Sequence, residues 1–104
     1  MPPKIKPLRD RKYLDSLRDA ACWVCGLRDG TVVGAHIRAG FAGIGAKPDD
    51  DMALPLCHKC HALQHDIGEP SFWANAYRID DKAEAIECVK ADARGRYVGW
   101  REGL

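Results

Sequence analysis

The sequence lacks any apolar run long enough to cross a bilayer, and its first ten residues, MPPKIKPLRD, contain no apolar segment typical of a secretory signal. We therefore expect a cytoplasmic protein, in which reduced thiols bind metal more readily than they form disulfides. The chain also has almost no net charge, +1 over 104 residues, so composition alone does not predict nucleic-acid binding. It shows no internal repeat, and its length suits one small domain whose hydrophobic core gives limited stability.

Cysteine, in contrast, is abundant for so short a chain, with five residues. Four of them form two C-x-x-C pairs, Cys22 with Cys25 and Cys57 with Cys60, and this spacing predicts a closed four-thiolate zinc site. Such a site would add its metal-binding energy to the stability of a small core. The fifth, Cys88, lies among apolar residues of a predicted helix, and we expect it to be a buried thiol.

Two other interpretations of the cysteine pairs are less favoured. The run from Cys57 to His61 also matches C-x-x-C-H, the haem attachment pattern, for which Met52 is a candidate axial ligand. The lack of a signal segment and the presence of a second cysteine pair argue against haem. A thioredoxin-like redox role is disfavoured because the sequence shows no βαβ pattern.

Three histidines form a second group of candidate site residues. His61 and His65 are four residues apart, so a helix would place both imidazoles on one face. His36 lies near the end of a predicted strand that the zinc site would connect to this helix. Two plainer interpretations stay open: these are ordinary surface histidines, or His61 replaces Cys60 as a zinc ligand. His58, inside the second cysteine pair, is given no role.

Hydrophobic patterning and capping residues predict the order of the elements. A basic extended arm covers residues 1–9 and a single domain covers residues 10–104. Strands are predicted at 31–37 and 52–56, with a glycine-rich loop over 38–51 between them. Helices are predicted from the N-cap Asp10 to about residue 21, over 61–67 before Gly68, from a cap at Ser71 to residue 77, and from Asp80 or Asp81 to about residue 95. Residues 97–104 carry no clear pattern.

The order of these motifs resembles that of a known family. A C-x-x-C pair is followed by GAHI, which contains His36, then by an acidic segment and by PLCHKCH, which ends at His61. This order is similar to that of the HNH endonucleases. The loop GFAGIGAKPDD and the run L-C-x-x-C-H-x-x-x-H-x-x-G-E are similar to a small phage and prophage branch that includes the Ref-type recombination nuclease. The resemblance covers residues 22–69 and leaves out the N-terminal arm and the C-terminal helices.

The resemblance implies an α+β fold, a zinc-stabilised ββα-metal core of treble-clef type over about 22–69 with flanking helices that include those at about 71–95. It implies that His36 is the general base and that His61 and His65 hold a catalytic divalent metal, which would be Mg²⁺, Mn²⁺ or Zn²⁺. Many family members have an aspartate metal ligand where this chain has Ala35, and the middle asparagine is absent. Asp51 is therefore expected either to orient His36 or to replace the lost metal ligand, and the choice between Asp50 and Asp51 for these roles stays open.

The same resemblance implies a phage or prophage enzyme that hydrolyses DNA phosphodiester bonds in DNA metabolism or recombination. Arg38, Lys47 and the basic arm would contact phosphates, with little preference for base sequence. A homodimer or a recombination-protein partner stays open. The alternative function is a non-catalytic treble-clef zinc module that binds nucleic acid or a protein, for which His36, His61 and His65 would not be needed.

Overall fold

The computed structural model describes residues 8–39 and 48–103. Within these ranges the chain forms two strands and four helices: α1 Arg11–Leu17, β1 Val33–His36, β2 Ala53–Leu56, α2 His58–Ile67, α3 Glu69–Tyr77 and α4 Lys82–Glu102. The predicted α+β class is confirmed. None of the helices in the described part of the chain combines the length and the apolar character that a bilayer crossing requires.

The two strands form an antiparallel sheet, with His36 opposite Ala53 at one end and Val33 opposite Leu56 at the other. Strand β2 is buried along its whole length. Helix α1 packs on β1 at Gly34, where an added Cβ atom would lie 3.1 Å from a Leu17 methyl carbon, so a larger residue would separate the helix from the sheet. The strand predicted over 31–37 is observed as Val33–His36 and pairs with β2.

Capping residues set two of the four described helix starts as predicted. The side chain of Asp10 accepts the Tyr13 backbone N–H at 3.2 Å, and Asp81 accepts two N–H groups at the start of α4. Helix α1 ends at Leu17, earlier than the predicted residue 21. Helix α2 begins at His58 instead of residue 61, because Cys57 occupies the N-cap position.

Gly68 ends α2 and also precedes α3, and its φ of 85° is a conformation that glycine adopts at little cost. Because this turn needs only one residue, α3 begins at Glu69 and the predicted cap at Ser71 is wrong. Pro70 lies in the first helical turn, where its missing N–H would have no partner in the helix.

Helix α4 continues well past the predicted end near residue 95 and includes most of the segment that carried no pattern. The reason is a packing contact with the other end of the chain. The ring of Tyr13 lies 4.8 Å from that of Tyr97 and 5.3 Å from that of Trp100, centroid to centroid. These aromatic contacts offset the cost of about 1 kcal/mol that each of Gly95 and Gly99 adds inside a helix.

The main hydrophobic core lies between the sheet, α3 and α4, with Leu54, Trp73 and Val89 fully buried at its centre. Cys22 and Cys57 belong to this core. A smaller cluster is centred on Tyr13, and Tyr97 and Trp100 from the end of α4 pack against it. The cysteine pairs are thereby attached to the rigid part of the domain and not to a separate loop.

Candidate functional site

The sulfur atoms of Cys22, Cys25, Cys57 and Cys60 all lie within 4.8 Å of one another. The Sγ atoms of Cys25 and Cys57 are 3.6 Å apart. Four sulfurs around a tetrahedral zinc, with Zn–S bonds of about 2.3 Å, are separated by about 3.8 Å. The geometry therefore fits the predicted metal site, and this cysteine cluster could hold a structural metal such as zinc.

The first cysteine pair is a tight turn fastened to the sheet. The Cys22 N–H donates to the Leu27 carbonyl at 2.8 Å, and the Gly26 N–H donates to the Cys22 carbonyl at 2.9 Å. The φ of Gly26 is 76°, which explains the glycine directly after the pair. The Trp23 N–H donates to the Pro55 carbonyl of β2 at 2.7 Å, so the turn cannot move independently of the strand that leads into the second pair.

The thiols of Cys22 and Cys60 differ in pKa. Burial of the Cys22 thiol opposes ionisation, but backbone N–H groups around the sulfur lower its pKa to about 7. Burial, together with the neighbouring thiols, raises the pKa of Cys60. One thiolate is accordingly available near neutral pH, and a bound divalent cation would favour the thiolate form of the others. Cys88 is half-buried on α4 and lies outside this cluster, so the prediction of a buried thiol is wrong.

His36 is the last residue of β1 and contacts a buried carboxylate. Its Nε2 lies 2.9 Å from Oδ1 of Asp50, a residue only 3% exposed. The second carboxylate oxygen of Asp50 accepts the Asp10 backbone N–H at 2.8 Å. The orienting contact that was predicted for Asp51 is made by Asp50 instead.

The turn that precedes β2 explains why Asp50, and not Asp51, contacts His36. The Met52 N–H donates to the Asp49 carbonyl at 3.0 Å, and the Ile37 N–H donates to the Met52 carbonyl at 2.7 Å. This geometry directs Asp50 towards β1. The side chain of Asp51 instead lines a cavity of about 140 Å³ beside Lys90 and Arg94 of α4.

The protonation of the His36–Asp50 pair follows from its contacts. Burial of Asp50 opposes its ionisation, but hydrogen bonds from His36 and from the Asp10 N–H hold the pKa of the carboxyl below its ordinary value. An ionised carboxylate has no proton to donate, so Nε2 of His36 must be the donor. In the neutral ring this leaves Nδ1 as the nitrogen that can accept a proton.

His61 and His65 lie one turn apart on α2, with their Nε2 atoms 3.2 Å apart. Two nitrogens bound to one metal at about 2.05 Å are separated by about 2.9 Å at a right angle and about 3.4 Å at a tetrahedral angle, so the observed spacing fits a shared ion. Burial, followed by the charges of His65 and His58, lowers the pKa of His61. The neutral imidazole is the form that binds metal.

His36 does not join these two histidines in a three-ligand site. Among the residues that the structure describes, the cysteine cluster is the one group of three or more Cys, His, Asp or Glu side chains whose ligand atoms lie close enough to share an ion. The predicted pair on α2 is therefore brought together, and the predicted base is held separately by Asp50.

Glu69 is a site residue to which the sequence interpretation gave no function. Its carboxylate accepts the backbone N–H groups of Arg38, at 2.9 and 3.0 Å, and of Ala39, together with the side-chain amide of Gln64 at 3.1 Å. These bonds attach the segment that follows β1 to the start of α3. Arg38 and His65 consequently line the same shallow groove. Glu69 is the last residue of the motif L-C-x-x-C-H-x-x-x-H-x-x-G-E, which carried the family resemblance. This motif is the sequence feature that could have identified it.

The part of the predicted arm that the structure describes is also bound to the site. The Leu8 N–H donates to Asp49 Oδ1 at 3.2 Å, and the Asp50 N–H donates to the Leu8 carbonyl at 3.0 Å. Arg9 donates to the Pro48 carbonyl at 2.9 Å. Lys47, predicted to contact phosphate, lies outside the described residues.

Comparison of the chain with protein-family models, with curated proteins and with solved structures returned no match in any of the three. The resemblance to the HNH endonucleases therefore rests on the motifs of the sequence, and the function rests on the chemistry of the site.

Proposed function

We propose that this protein is a metal-dependent endonuclease of the HNH type that hydrolyses DNA phosphodiester bonds, in phage or prophage DNA metabolism or recombination. The observation that carries the proposal is the contact between His36 Nε2 and the buried Asp50 carboxylate at 2.9 Å. A surface histidine of no function has no need of a buried, ionised partner. A general base does, because the partner fixes the ring and stabilises the imidazolium that forms.

In the proposed reaction, Nδ1 of His36 accepts a proton from a water molecule whose oxygen attacks the phosphorus atom. The bond between phosphorus and the 3′ oxygen breaks, and the leaving oxygen takes a proton from solvent. Asp50 keeps Nε2 protonated throughout, so the proton from water goes to Nδ1. The electron pair that forms the new P–O bond comes from the water oxygen, and no oxidation or reduction is involved.

His61 and His65 would hold the divalent metal. When bound, such an ion stabilises negative charge on the phosphate and on the leaving oxygen. Two imidazole ligands suit Zn²⁺ better than Mg²⁺ or Mn²⁺, which prefer oxygen ligands. With any of the three ions, waters and substrate phosphate would supply the remaining ligands. This arrangement needs no ligand at Ala35, where many family members have an aspartate.

A zinc module without catalytic activity is the second candidate. It is favoured by the observation that, within the described ranges, the cysteine cluster alone brings three or more ligand atoms together. Such a module would bind nucleic acid or a protein through the same scaffold. It gives no chemical use to the contact between His36 and the buried Asp50 carboxylate, and we therefore prefer the nuclease.

Nicking of supercoiled plasmid separates these two functions. Purified protein is incubated with Mg²⁺, Mn²⁺ or Zn²⁺, with and without chelator, and the wild type is compared with His36→Ala. The nuclease proposal expects metal-dependent conversion to open-circular DNA, which chelator abolishes and which is much slower with His36→Ala. Failure of the wild type to cut with any of the three ions would favour the binding module.

A further inference from the structure

Arg9 places a positive charge beside the proposed base, although it lies outside the stretch that resembles the family. Its Nη1 is 3.8 Å from Asp50 Oδ1, the same oxygen that lies 2.9 Å from His36 Nε2. Because the two distances share one atom, Nη1 lies at most about 6.7 Å from Nε2. The guanidinium is therefore close enough to His36 for one phosphate group to contact both side chains.

Backbone contacts on both sides fix the position of this guanidinium. Nη1 donates to the carbonyl oxygens of Leu8, at 3.1 Å, and Pro48, at 2.9 Å. The backbone around Arg9 is itself bonded to the turn that carries Asp50, through the Asp10 N–H at 2.8 Å. A cation positioned in this way does not have to reorganise when an anion approaches, which is the condition for effective electrostatic stabilisation.

Exposure increases outward along this group of side chains. The side chain of Asp50 is 4% exposed, that of His36 is 12% exposed and that of Arg9 is 42% exposed. Arg9 is thus the member of the group that solvent, and hence a ligand, reaches first.

We infer that Arg9 is a catalytic residue of the proposed nuclease, whose guanidinium binds a phosphate oxygen of the cleaved strand beside His36. This inference rests on the proposed function. The planar guanidinium is a fork of five N–H donors, so it can keep its backbone carbonyl partners and still donate to a phosphate oxygen, which the compact lysine ammonium cannot do in the same geometry. Its charge offsets the negative charge that grows on the phosphate oxygens as the water attacks.

Arg11 provides a matched control in the same part of the chain. Its side chain is 87% exposed and lies 4.0 Å from Asp15 on its own helix, with neither atom belonging to the His36–Asp50 pair. Replacing Arg9 or Arg11 by alanine removes the same charge from nearly the same place in the sequence. A difference between the two variants consequently reports on position and not on net charge.

The test is the single-turnover cleavage rate at saturating DNA, in the metal that supports nicking, for Arg9→Ala, Arg9→Lys and Arg11→Ala. We expect Arg9→Ala to slow cleavage by about 10- to 100-fold, the effect of losing one charge-assisted hydrogen-bonded contact. Arg9→Lys should recover part of the rate, because it keeps the charge without the fork. Arg11→Ala should cut close to the wild-type rate.

A second readout does not depend on chemistry. The protein is first treated with a chelator that removes the exchangeable ion but leaves the structural zinc. The affinity for duplex DNA is then measured as a function of salt. In Arg9→Ala the slope of log affinity against log salt should become less negative by about 0.9, which corresponds to the loss of one phosphate contact. A merely structural role for Arg9 would lower the melting temperature and leave this slope unchanged. Zinc content and melting temperature are measured for every variant, and Arg9→Gln replaces Arg9→Ala if the latter fails to fold.

The inference is overturned if Arg9→Ala or Arg9→Gln cleaves at the wild-type rate, or if Arg9→Ala and Arg11→Ala are slowed equally. It is also overturned if the salt slope of the Arg9 variant matches that of the wild type. In each of these cases the wild type still cuts, so the proposed function stands. A wild type that cuts with none of the ions refutes the proposed function itself.

Discussion

Replacement of one cysteine in the cluster tests whether a metal holds this domain together. Cys60 and Cys88 are both half-buried cysteines on helices, but only Cys60 belongs to the cluster. The change Cys60→Ser therefore removes a proposed zinc ligand, whereas Cys88→Ser makes the same chemical change outside the site. Any cost that is common to losing a half-buried sulfur appears in both variants.

The expected effect is large compared with the stability of a domain of this size. A structural zinc site contributes about 10–16 kcal/mol of apparent binding free energy at neutral pH. The net free energy of unfolding of a typical domain is only about 5–15 kcal/mol. Loss of the ion would therefore release the first cysteine pair from the start of α2 and expose Cys22 and Cys57, which are buried in the main core.

The assay is zinc per chain after dialysis against a competing chelator, followed by thermal unfolding. Wild type and Cys88→Ser should retain one zinc per chain and unfold at similar temperatures. Cys60→Ser should lose its zinc at a lower chelator concentration and unfold at a much lower temperature. Retention of zinc by Cys60→Ser as tight as in the wild type would refute the four-thiolate site. It would also support His61 as the fourth ligand, which would remove His61 from the proposed chemistry.

Two further predictions concern the groups around the proposed reaction. Asp50→Asn should lower the free energy of unfolding by about 1–3 kcal/mol at pH 7, because His36 and the Asp10 N–H lose a charged acceptor. The pKa of Asp50 is lowered on folding, so its contribution is complete above the unfolded value of about 3.9 and is lost only as the pH falls through the folded value. Denaturant unfolding in excess zinc should give the same difference at pH 7 and pH 5, and a difference already gone at pH 5 would contradict the lowered pKa. The double variant His61→Ala/His65→Ala should keep one zinc and the wild-type melting temperature but lose metal-dependent cleavage, and it would argue against two separate sites if its zinc were lost as well.

Local signals in the sequence predicted much of this structure. The spacing of the two cysteine pairs was sufficient to predict the cluster, because a C-x-x-C turn places both thiols on the same side. Asp10 and Asp81 marked two helix starts through side-chain bonds to N–H groups two or three residues away. Spacing on a helix likewise predicted that His61 and His65 would lie together.

Contacts between distant segments could not be read in the same way. The end of α4 is stabilised by Tyr13 and by the bond from Tyr97 to Asp10, whose residues are 87 positions apart. The choice between Asp50 and Asp51 as the partner of His36 depends on the turn before β2, and neighbouring aspartates give the same composition signal. In the sequence, Arg9 is one of several basic residues in the N-terminal arm. Its position beside Asp50 depends on hydrogen bonds between residues 8–10 and residues 48–50, which the sequence does not predict.

The central claim is that His36 is the base of a metal-dependent nuclease, and the initial rate of plasmid nicking by His36→Ala against His58→Ala tests it most directly. His58 is an exposed histidine of the same domain, for which no function is proposed. We predict that His36→Ala slows nicking by about 100-fold or more, the usual contribution of a general base. His58→Ala should nick close to the wild-type rate, with zinc content unchanged in both. Equal nicking rates for the two variants would contradict the account.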